Sequence, residues 1–149
     1  MPYTLCVIDM QPDFEAANGT RVIKNCVREI RMAVENGAHI VFLEFDGYGD
    51  THPMLMTPVK KYKNAKIKFK RQDDGSAEVQ EVVRKNGFMI GRFRVVGINT
   101  DWCVRSTVHG LRKRFPNSFV EVVDDACSSD DNHAYGIKMI RSIDNVDVI

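Results

Sequence analysis

Three side chains suited to nucleophilic chemistry stand at the ends of predicted strands. Asp9 ends the apolar stretch YTLCVID, and Lys70 ends the alternating stretch AKIKFK. Cys103 follows the apolar stretch FRVVGI by a few residues. A thiol can attack an acyl carbon, while a carboxylate moves the proton and an ammonium group stabilises negative charge. Lys68 is an alternative to Lys70, because alternate residues of a strand share one face. These residue types predict attack on an amide or a similar acyl group.

Cys103 lies near the start of a helix predicted over residues 101–115. The positive end of a helix dipole favours a thiolate, and a nearby lysine is expected to lower the pKa of the thiol further. Free backbone N–H groups at the helix start can also hold an oxyanion. Asp9 is expected to take the thiol proton and return it to a leaving amine.

The elements that position these residues follow from the alternation of apolar and amphipathic stretches. Strands are predicted over residues 3–9, 38–45, 65–70, 93–98, 118–126 and 146–149. Helices are predicted over residues 19–37, 53–62, 76–87, 101–115 and 130–143. This order predicts a three-layer α/β/α fold, with a six-stranded, mostly parallel sheet and helices on both faces. Ligands bind beyond the carboxyl ends of such strands, where Asp9, Lys70 and Cys103 are expected to meet.

Composition narrows the function classes. The chain has 149 residues, with 21 lysines and arginines against 20 aspartates and glutamates, so charge gives no general case for nucleic acid or a membrane surface. No apolar run approaches the roughly 20 residues that span a bilayer. Without a linker or repeat, residues 1–149 are expected to form a single domain. The start MPYTLCVIDM has no signal-peptide pattern, which predicts a cytoplasmic protein with free cysteines.

Two segments carry a family resemblance. DMQPDF (9–14) and GINTDWCVRST (97–107) resemble motifs of the isochorismatase-like cysteine hydrolases, a group that includes nicotinamidases. The second segment matches every fixed position of the pattern G-x-x-T-x-x-C-V-x-x-T. The resemblance covers essentially the whole chain in order. It implies the same α/β/α fold, a small carboxamide as substrate, a thioester acyl-enzyme and a homo-oligomer of two or more chains.

The resemblance also implies roles for individual residues. Asp9 corresponds to the family's general base and acid, and Cys103 to its nucleophile. The family's lysine ends the third strand; Lys70 is nearest that end, whereas Lys68 keeps the more usual spacing to the next helix. A cis peptide between Ile98 and Asn99 is implied, with the N–H groups of Asn99 and Cys103 forming an oxyanion hole.

Three aromatic residues near the motifs are candidates for the walls of the substrate pocket. Phe14, Tyr48 and Trp102 flank the motifs and are expected to line it.

Nicotinamidases of this family carry a metal site, roughly D-x-H-x-x-x-x-x-H, after the second strand. Asp46 and His52 stand in that region with a different spacing, and no second histidine follows. The sequence therefore predicts no metal and no cofactor, and it does not favour nicotinamide as the substrate.

The segment KKYKNAKIKFKR (60–71) supplies a rival hypothesis. It holds seven basic residues in twelve positions, a pattern typical of a solvated face or of a patch that binds anions or nucleic acid. The alternative function is a non-catalytic binding protein on the same fold. The alignment of Asp9, Lys70 and Cys103 favours the hydrolase.

Overall fold

The computed structural model describes residues 2–149, which form strands and helices in alternation. The strands are β1 (Thr4–Ile8), β2 (His39–Phe45), β3 (Ala65–Lys70), β4 (Arg92–Ile98), β5 (Phe119–Ser128) and β6 (Val146–Val148). The α-helices are α1 (Thr20–Glu35), α2 (Pro53–Met56), α3 (Ser76–Asn86), α4 (Arg105–Arg114) and α5 (His133–Arg141). None of the helices in residues 2–149 has the length and apolar character needed to cross a membrane.

The strands form one sheet in the order β3-β2-β1-β4-β5-β6, and each strand is parallel to its neighbours. One hydrophobic cluster joins this sheet to α3, α4 and α5, and a second joins the opposite face to α1 and α2. The predicted three-layer α/β/α fold is therefore confirmed. The apolar residues of β1 and β2 are buried on both faces, as the central strands of a parallel sheet require.

Local differences from the predicted elements have identifiable causes. The helix predicted over 53–62 is only the four-residue α2, followed by a 3-10 helix at Thr57–Val59. Thr57 keeps α-helical geometry and donates to the carbonyl of Pro53, but Pro58 has no N–H to continue the hydrogen-bond ladder, so the α-helix stops there. The helix predicted over 101–115 begins as a π-helical turn at Thr100–Val104 before α4. The final helix begins at His133, where the Asn132 side chain accepts a hydrogen bond from the Tyr135 N–H.

Candidate active site

Asp9, Lys70 and Cys103 meet at the carboxyl edge of the sheet. Asp9 follows β1, Lys70 ends β3, and Cys103 lies in the turn after β4. The Nζ atom of Lys70 is 2.9 Å from Oδ2 of Asp9 and 3.3 Å from Sγ of Cys103. The Lys70 and Asp9 side chains are 0% and 1% exposed. The ammonium group is thus held inside the protein between a carboxylate and a thiol.

Lys68 lies away from this cluster. Its Nζ atom forms an ion pair with Oε1 of Glu81 on α3, at 3.0 Å, and its side chain is 36% exposed. Lys68 and Lys70 share one face of β3, but β3 is an edge strand and only its carboxyl end reaches the cysteine. Of the two candidate lysines, the structure brings Lys70 to Cys103.

The loop after β3 closes over Lys70. Nζ donates hydrogen bonds to the carbonyl oxygens of Gln72 and Asp73, at 2.9 and 3.4 Å, and lies 4.2 Å from the centre of the Phe45 ring. Gly75 permits this approach, because a Cβ atom there would lie 2.5 Å from Leu43 Cδ1 and 2.9 Å from Lys70 Cδ. These contacts hold the ammonium group in a single place.

Asp9 is a buried carboxylate that forms an ion pair with Lys70. Its backbone has a φ of 53°, and its N–H donates to the carbonyl of Leu43 at 3.0 Å. Within the described residues neither carboxylate oxygen accepts an aligned hydrogen bond, so the contact with Lys70 is an ion pair. Burial raises the pKa of Asp9 above its ordinary value, and the charge of Lys70 opposes that increase. Asp9 is therefore a stronger proton acceptor than an exposed aspartate.

The thiol of Cys103 differs from the sequence-based expectation. Burial raises its pKa to about 12, the charge of Asp9 adds to the increase, and Lys70 opposes it. The expectation of a lowered pKa is therefore wrong for the free protein. Its physical reason is that the thiol is only 8% exposed and stands beside a carboxylate as well as an ammonium group. Ionisation of this thiol requires a partner that accepts the proton.

The π-helical turn presents Cys103 to the cluster. Its first residues are held by the carbonyl of Asn99, which accepts from the N–H groups of Trp102 and Val104, each at 3.1 Å. The Ile98–Asn99 peptide bond that precedes the turn is cis.

A polar network that the sequence did not predict supports this turn from β5 and α5. The Thr100 hydroxyl, which is fully buried, lies 2.7 Å from Nδ1 of His133, and Nε2 of His133 lies 2.7 Å from Oδ1 of Asp124. The Asp101 carboxylate accepts hydrogen bonds from the Ser129 hydroxyl and the Asn132 N–H. Residues far apart in sequence thus fix the turn that carries the thiol.

Aromatic side chains stand on one side of the cluster. Phe14 stacks on Tyr48 with ring centres 4.6 Å apart, and both rings make edge contacts with Phe45. Gln11 connects this group to the loop after β2, because its side chain accepts from Phe45 N–H and donates to the carbonyls of Phe45 and Gly49. Phe45 and Gln11 were not singled out in the sequence, although Gln11 lies within the DMQPDF motif.

Trp102 lies on another side of Cys103. Its ring is 53% exposed and borders an open groove of about 500 Å³ that Asp73, Arg105 and Tyr135 also line. Phe14 and Tyr48 are thus grouped together, whereas Trp102 belongs to a separate surface. A larger groove, about 810 Å³, runs along α1 and is lined by none of Asp9, Lys70 and Cys103.

The two residues considered as metal ligands have other partners. Oδ2 of Asp46 pairs with Nε of Arg71 at 3.1 Å, and Nε2 of His52 lies 3.0 Å from Oδ1 of Asn18. Within residues 2–149, histidine, cysteine, aspartate and glutamate form no group of three or more suited to a metal ion. The residues of this region therefore do not fit the metal site of the nicotinamidases.

Solved structures similar to this one share the fold over nearly all of the chain. A pyrazinamidase/nicotinamidase from Streptococcus mutans UA159 has a TM-score of 0.83 and 18% identity, covering 99% of each chain. A MAR1 ribonuclease from Caenorhabditis elegans has a TM-score of 0.83 and 23% identity, covering 97% of this chain and 75% of that one. An N-carbamoylsarcosine amidase from Thermoplasma acidophilum has a TM-score of 0.80 and 16% identity, covering 99% of this chain and 95% of that one.

The sequence itself supplies the assignment. No curated protein sequence matches the chain significantly. The sequence model of the isochorismatase domain, in contrast, matches residues 3–146, almost the full length. The chain belongs to the isochorismatase family.

Proposed function

We propose that this protein is a cysteine hydrolase that cleaves the C–N bond of a small carboxamide through a thioester. The observation that carries the proposal is the buried ammonium of Lys70, 2.9 Å from Asp9 and 3.3 Å from Cys103. Enclosing two charges and a thiol is costly for folding, and such groups cluster where chemistry needs them. The family membership and the amidase names of two structural relatives support the same class.

The first half-reaction forms the thioester. The Cys103 sulfur attacks the amide carbonyl carbon while Asp9 accepts the thiol proton, so that no free thiolate has to accumulate. The raised pKa of Asp9 makes it a suitable acceptor, and the raised pKa of Cys103 makes the acceptor necessary. When the tetrahedral intermediate collapses, its C–N bond breaks and Asp9 returns the proton to the departing amine.

The oxyanion needs donors on the other side of the carbonyl. Cys103 lies in the π-helical turn, between Trp102 and Val104, whose N–H groups donate to the carbonyl of Asn99. At the start of a helix the first N–H groups in general have no intrahelical acceptor. The N–H groups of Cys103 and Asn99 are the proposed oxyanion donors. In the second half-reaction, water attacks the thioester carbon and gives a proton to Asp9. The C–S bond then breaks, the acid leaves, and Asp9 passes its proton to the Cys103 sulfur.

Lys70 has an electrostatic part in both half-reactions. Its charge opposes the rise in the pKa of Asp9 that burial causes, so the carboxylate stays available as a base. The same charge stabilises negative charge that develops on the Cys103 sulfur. Phe14 and Tyr48 are proposed as apolar walls of the substrate pocket, with Trp102 as a further substrate contact. The lack of fit to the nicotinamidase metal ligands argues for an amide other than nicotinamide.

The proposal is tested by kinetics on single and double variants. An amide panel is screened for release of amine, and the best substrate is assayed with Asp9→Asn, Cys103→Ala and the double variant. Each single variant is expected to lose several orders of magnitude in rate, and the double variant little more, because residues that act as a unit are not additive. Circular dichroism controls for folding. Retention of most activity by Cys103→Ala would exclude the thiol as nucleophile.

A second candidate is binding of nucleic acid by the basic segment 60–71. Lys60, Lys61, Lys63 and Lys66 are exposed there, and Phe69 is 60% exposed, which suits a strand of phosphates and bases. The ribonuclease name of one structural relative is compatible with it. Fluorescence anisotropy with single-stranded RNA at several salt concentrations tests it, and affinity that does not fall with salt would reject it.

A further inference from the structure

The carboxyl edge of the sheet is acidic although the chain as a whole carries a net charge of only +1. The segments that follow β1 to β5 are residues 9–14, 46–52, 71–75, 99–104 and 129–132. Arg71 is the only lysine or arginine in them. Their acidic residues are Asp9, Asp13, Asp46, Asp50, Asp73, Asp74, Asp101, Asp130 and Asp131. A field of this sign attracts cations and repels anions at the mouth of the site.

Asp73 brings this negative charge to the thiol itself. Its Oδ1 atom lies 3.8 Å from Sγ of Cys103, and its side chain is exposed. Two other aspartates of this edge have partners: Asp46 pairs with Arg71, and Asp74 accepts from the Ser76 N–H at the start of α3. Asp73 forms no ion pair within residues 2–149.

The buried part of the site points to a ligand that donates hydrogen bonds. Asp9 is 1% exposed, and its carboxylate oxygens accept no aligned hydrogen bond within the described residues. Lys70 balances the charge of Asp9. The groove beside the thiol is lined by Asp73, Asp101 and Asp131 against one basic residue, Arg105, which leaves negative charge in excess there. The ring of Trp102, 53% exposed and lining the same groove as Asp73, can also receive a cation on its face.

From this arrangement we propose that the substrate is a cationic amide, with an ammonium or guanidinium group close to the scissile carbonyl, and that Asp73 selects it. The proposal rests on the function proposed above and specifies its substrate class. A substrate that binds with its carbonyl carbon at Sγ of Cys103 brings its neighbouring atoms within reach of Asp73. An acyl group or amine that carries a carboxylate is disfavoured for the same reason.

The experiment uses the thiol as a reporter of charge, so that it does not depend on turnover. Cys103 is modified with a trimethylammonium-ethyl and with a sulfonato-ethyl methanethiosulfonate, and the labelled peptide is quantified by mass spectrometry. The ratio of the two rates is divided by the same ratio for a small free thiol. The wild-type ratio is expected to favour the cation by about tenfold, which corresponds to about 1.4 kcal/mol.

Matched variants locate the source of the selectivity. Asp73→Asn keeps the shape of the side chain and is expected to remove most of the tenfold preference. Asp147→Asn removes the same charge from an exposed position on β6 and is expected to leave the ratio within about twofold, because distant exposed charges are screened. Equal rates for the two reagents, or an unchanged ratio in Asp73→Asn, would overturn the proposal. Failure of both reagents to reach Cys103 would overturn it as well.

Turnover then separates this inference from the function on which it rests. Cationic, neutral and anionic amides of the same size are assayed with the wild type and Asp73→Asn. The cationic amide is expected to have the highest kcat/KM, and Asp73→Asn to lower the cationic-to-anionic ratio by about tenfold. Hydrolysis of a neutral or anionic amide without that preference rejects the selectivity and keeps the hydrolase. Charge-selective labelling of Cys103 without hydrolysis of any amide rejects the hydrolase instead.

Discussion

Replacement of Lys70 by methionine removes the charge at the centre of the site and keeps an unbranched side chain of similar length. Lys70 Nζ and Asp9 Oδ2 are 2.9 Å apart, and both side chains are almost fully buried. At an effective dielectric constant of about 20, unit charges at that distance attract by about 6 kcal/mol. In the variant, Asp9 can take up a proton, which recovers part of this lost attraction. The loss of one partner of a buried ion pair therefore typically costs about 3–5 kcal/mol. We expect Lys70→Met to lower the free energy of unfolding at pH 7 by that amount.

The assay is urea denaturation followed by circular dichroism, with Lys68→Met as the matched control. Lys68 lies two residues away on the same strand, but its pair with Glu81 is at the surface. An exposed pair is worth about 0–1 kcal/mol, so the control is expected to lose no more than that. Equal losses for the two methionine variants would refute the account of Lys70 as the buried partner of Asp9.

The pH dependence of stability tests the Asp9–Lys70 ion pair independently. Burial already raises the folded-state pKa of Asp9, and Lys70 opposes the increase, so Lys70→Met is expected to raise it further. When the pKa of a carboxyl group is raised in the folded state, the protein becomes less stable as pH rises through the titration range of that group and more stable as pH falls. The stability difference between Lys70→Met and Asp9→Asn/Lys70→Met is therefore expected to shrink on acidification from pH 7. A difference that stays constant would contradict this reasoning.

Three further predictions concern the thiols and the polar network. Iodoacetamide is expected to label Cys103 before the other cysteines, because it is the most exposed of the four, at 8% against 4% for Cys127 and 0% for Cys6 and Cys26, and Lys70 stabilises negative charge on its sulfur; peptide mapping across pH checks this, and preferential labelling elsewhere contradicts it. Burial raises the pKa of Cys6 from 9.0 to about 12, so Cys6→Ala is expected to reduce the loss of stability between pH 9 and 12 by about 1.4 kcal/mol per pH unit. Urea melts at several pH values measure that slope, which an uninvolved Cys6 would leave unchanged. His133→Ala is expected to cost about 1–3 kcal/mol, because it leaves the buried Thr100 hydroxyl without its partner; thermal unfolding tests this, and a wild-type midpoint would reject it.

The fold could be predicted because hydrophobic patterns report how each element is buried. Continuous apolar runs such as those of β1 and β2 identify strands covered on both faces, and their alternation with amphipathic stretches identifies the parallel sheet. The error at residues 53–62 came from a periodic pattern that Pro58 interrupts. The short 3-10 helix at Glu15–Asn18 carries no such pattern and was not predicted.

The members of the candidate site could be predicted more fully than their energetics. Asp9, Lys70 and Cys103 meet because each follows or ends a strand of the same sheet edge, a rule that needs only the order of elements. The end of β3 was predicted at residue 70, but the choice between Lys68 and Lys70 required the side-chain contacts, which pair Lys68 with Glu81 and bring Lys70 to Cys103. The direction of the Cys103 pKa could not be read from the sequence, because desolvation depends on the side chains that cover the thiol.

The contacts of Asp73 with Cys103 and of Thr100 with His133 were also missed. They join residues 30 and 33 positions apart, and they depend on the paths of the loops after β3 and β5, which follow no periodic pattern. The DDG turn before α3 was visible in the sequence, but its position over the thiol is set by the end of β3 and by Gly75.

The central claim is that Cys103 becomes covalently acylated during hydrolysis of a small amide. The direct measurement is mass spectrometry of protein quenched in acid during turnover of each amide in a charge-matched panel. The account predicts a mass increase equal to the acyl group on the peptide that contains Cys103, removed by hydroxylamine and absent from Cys103→Ala. Steady amide hydrolysis that yields no adduct on Cys103 and continues in Cys103→Ala would contradict it.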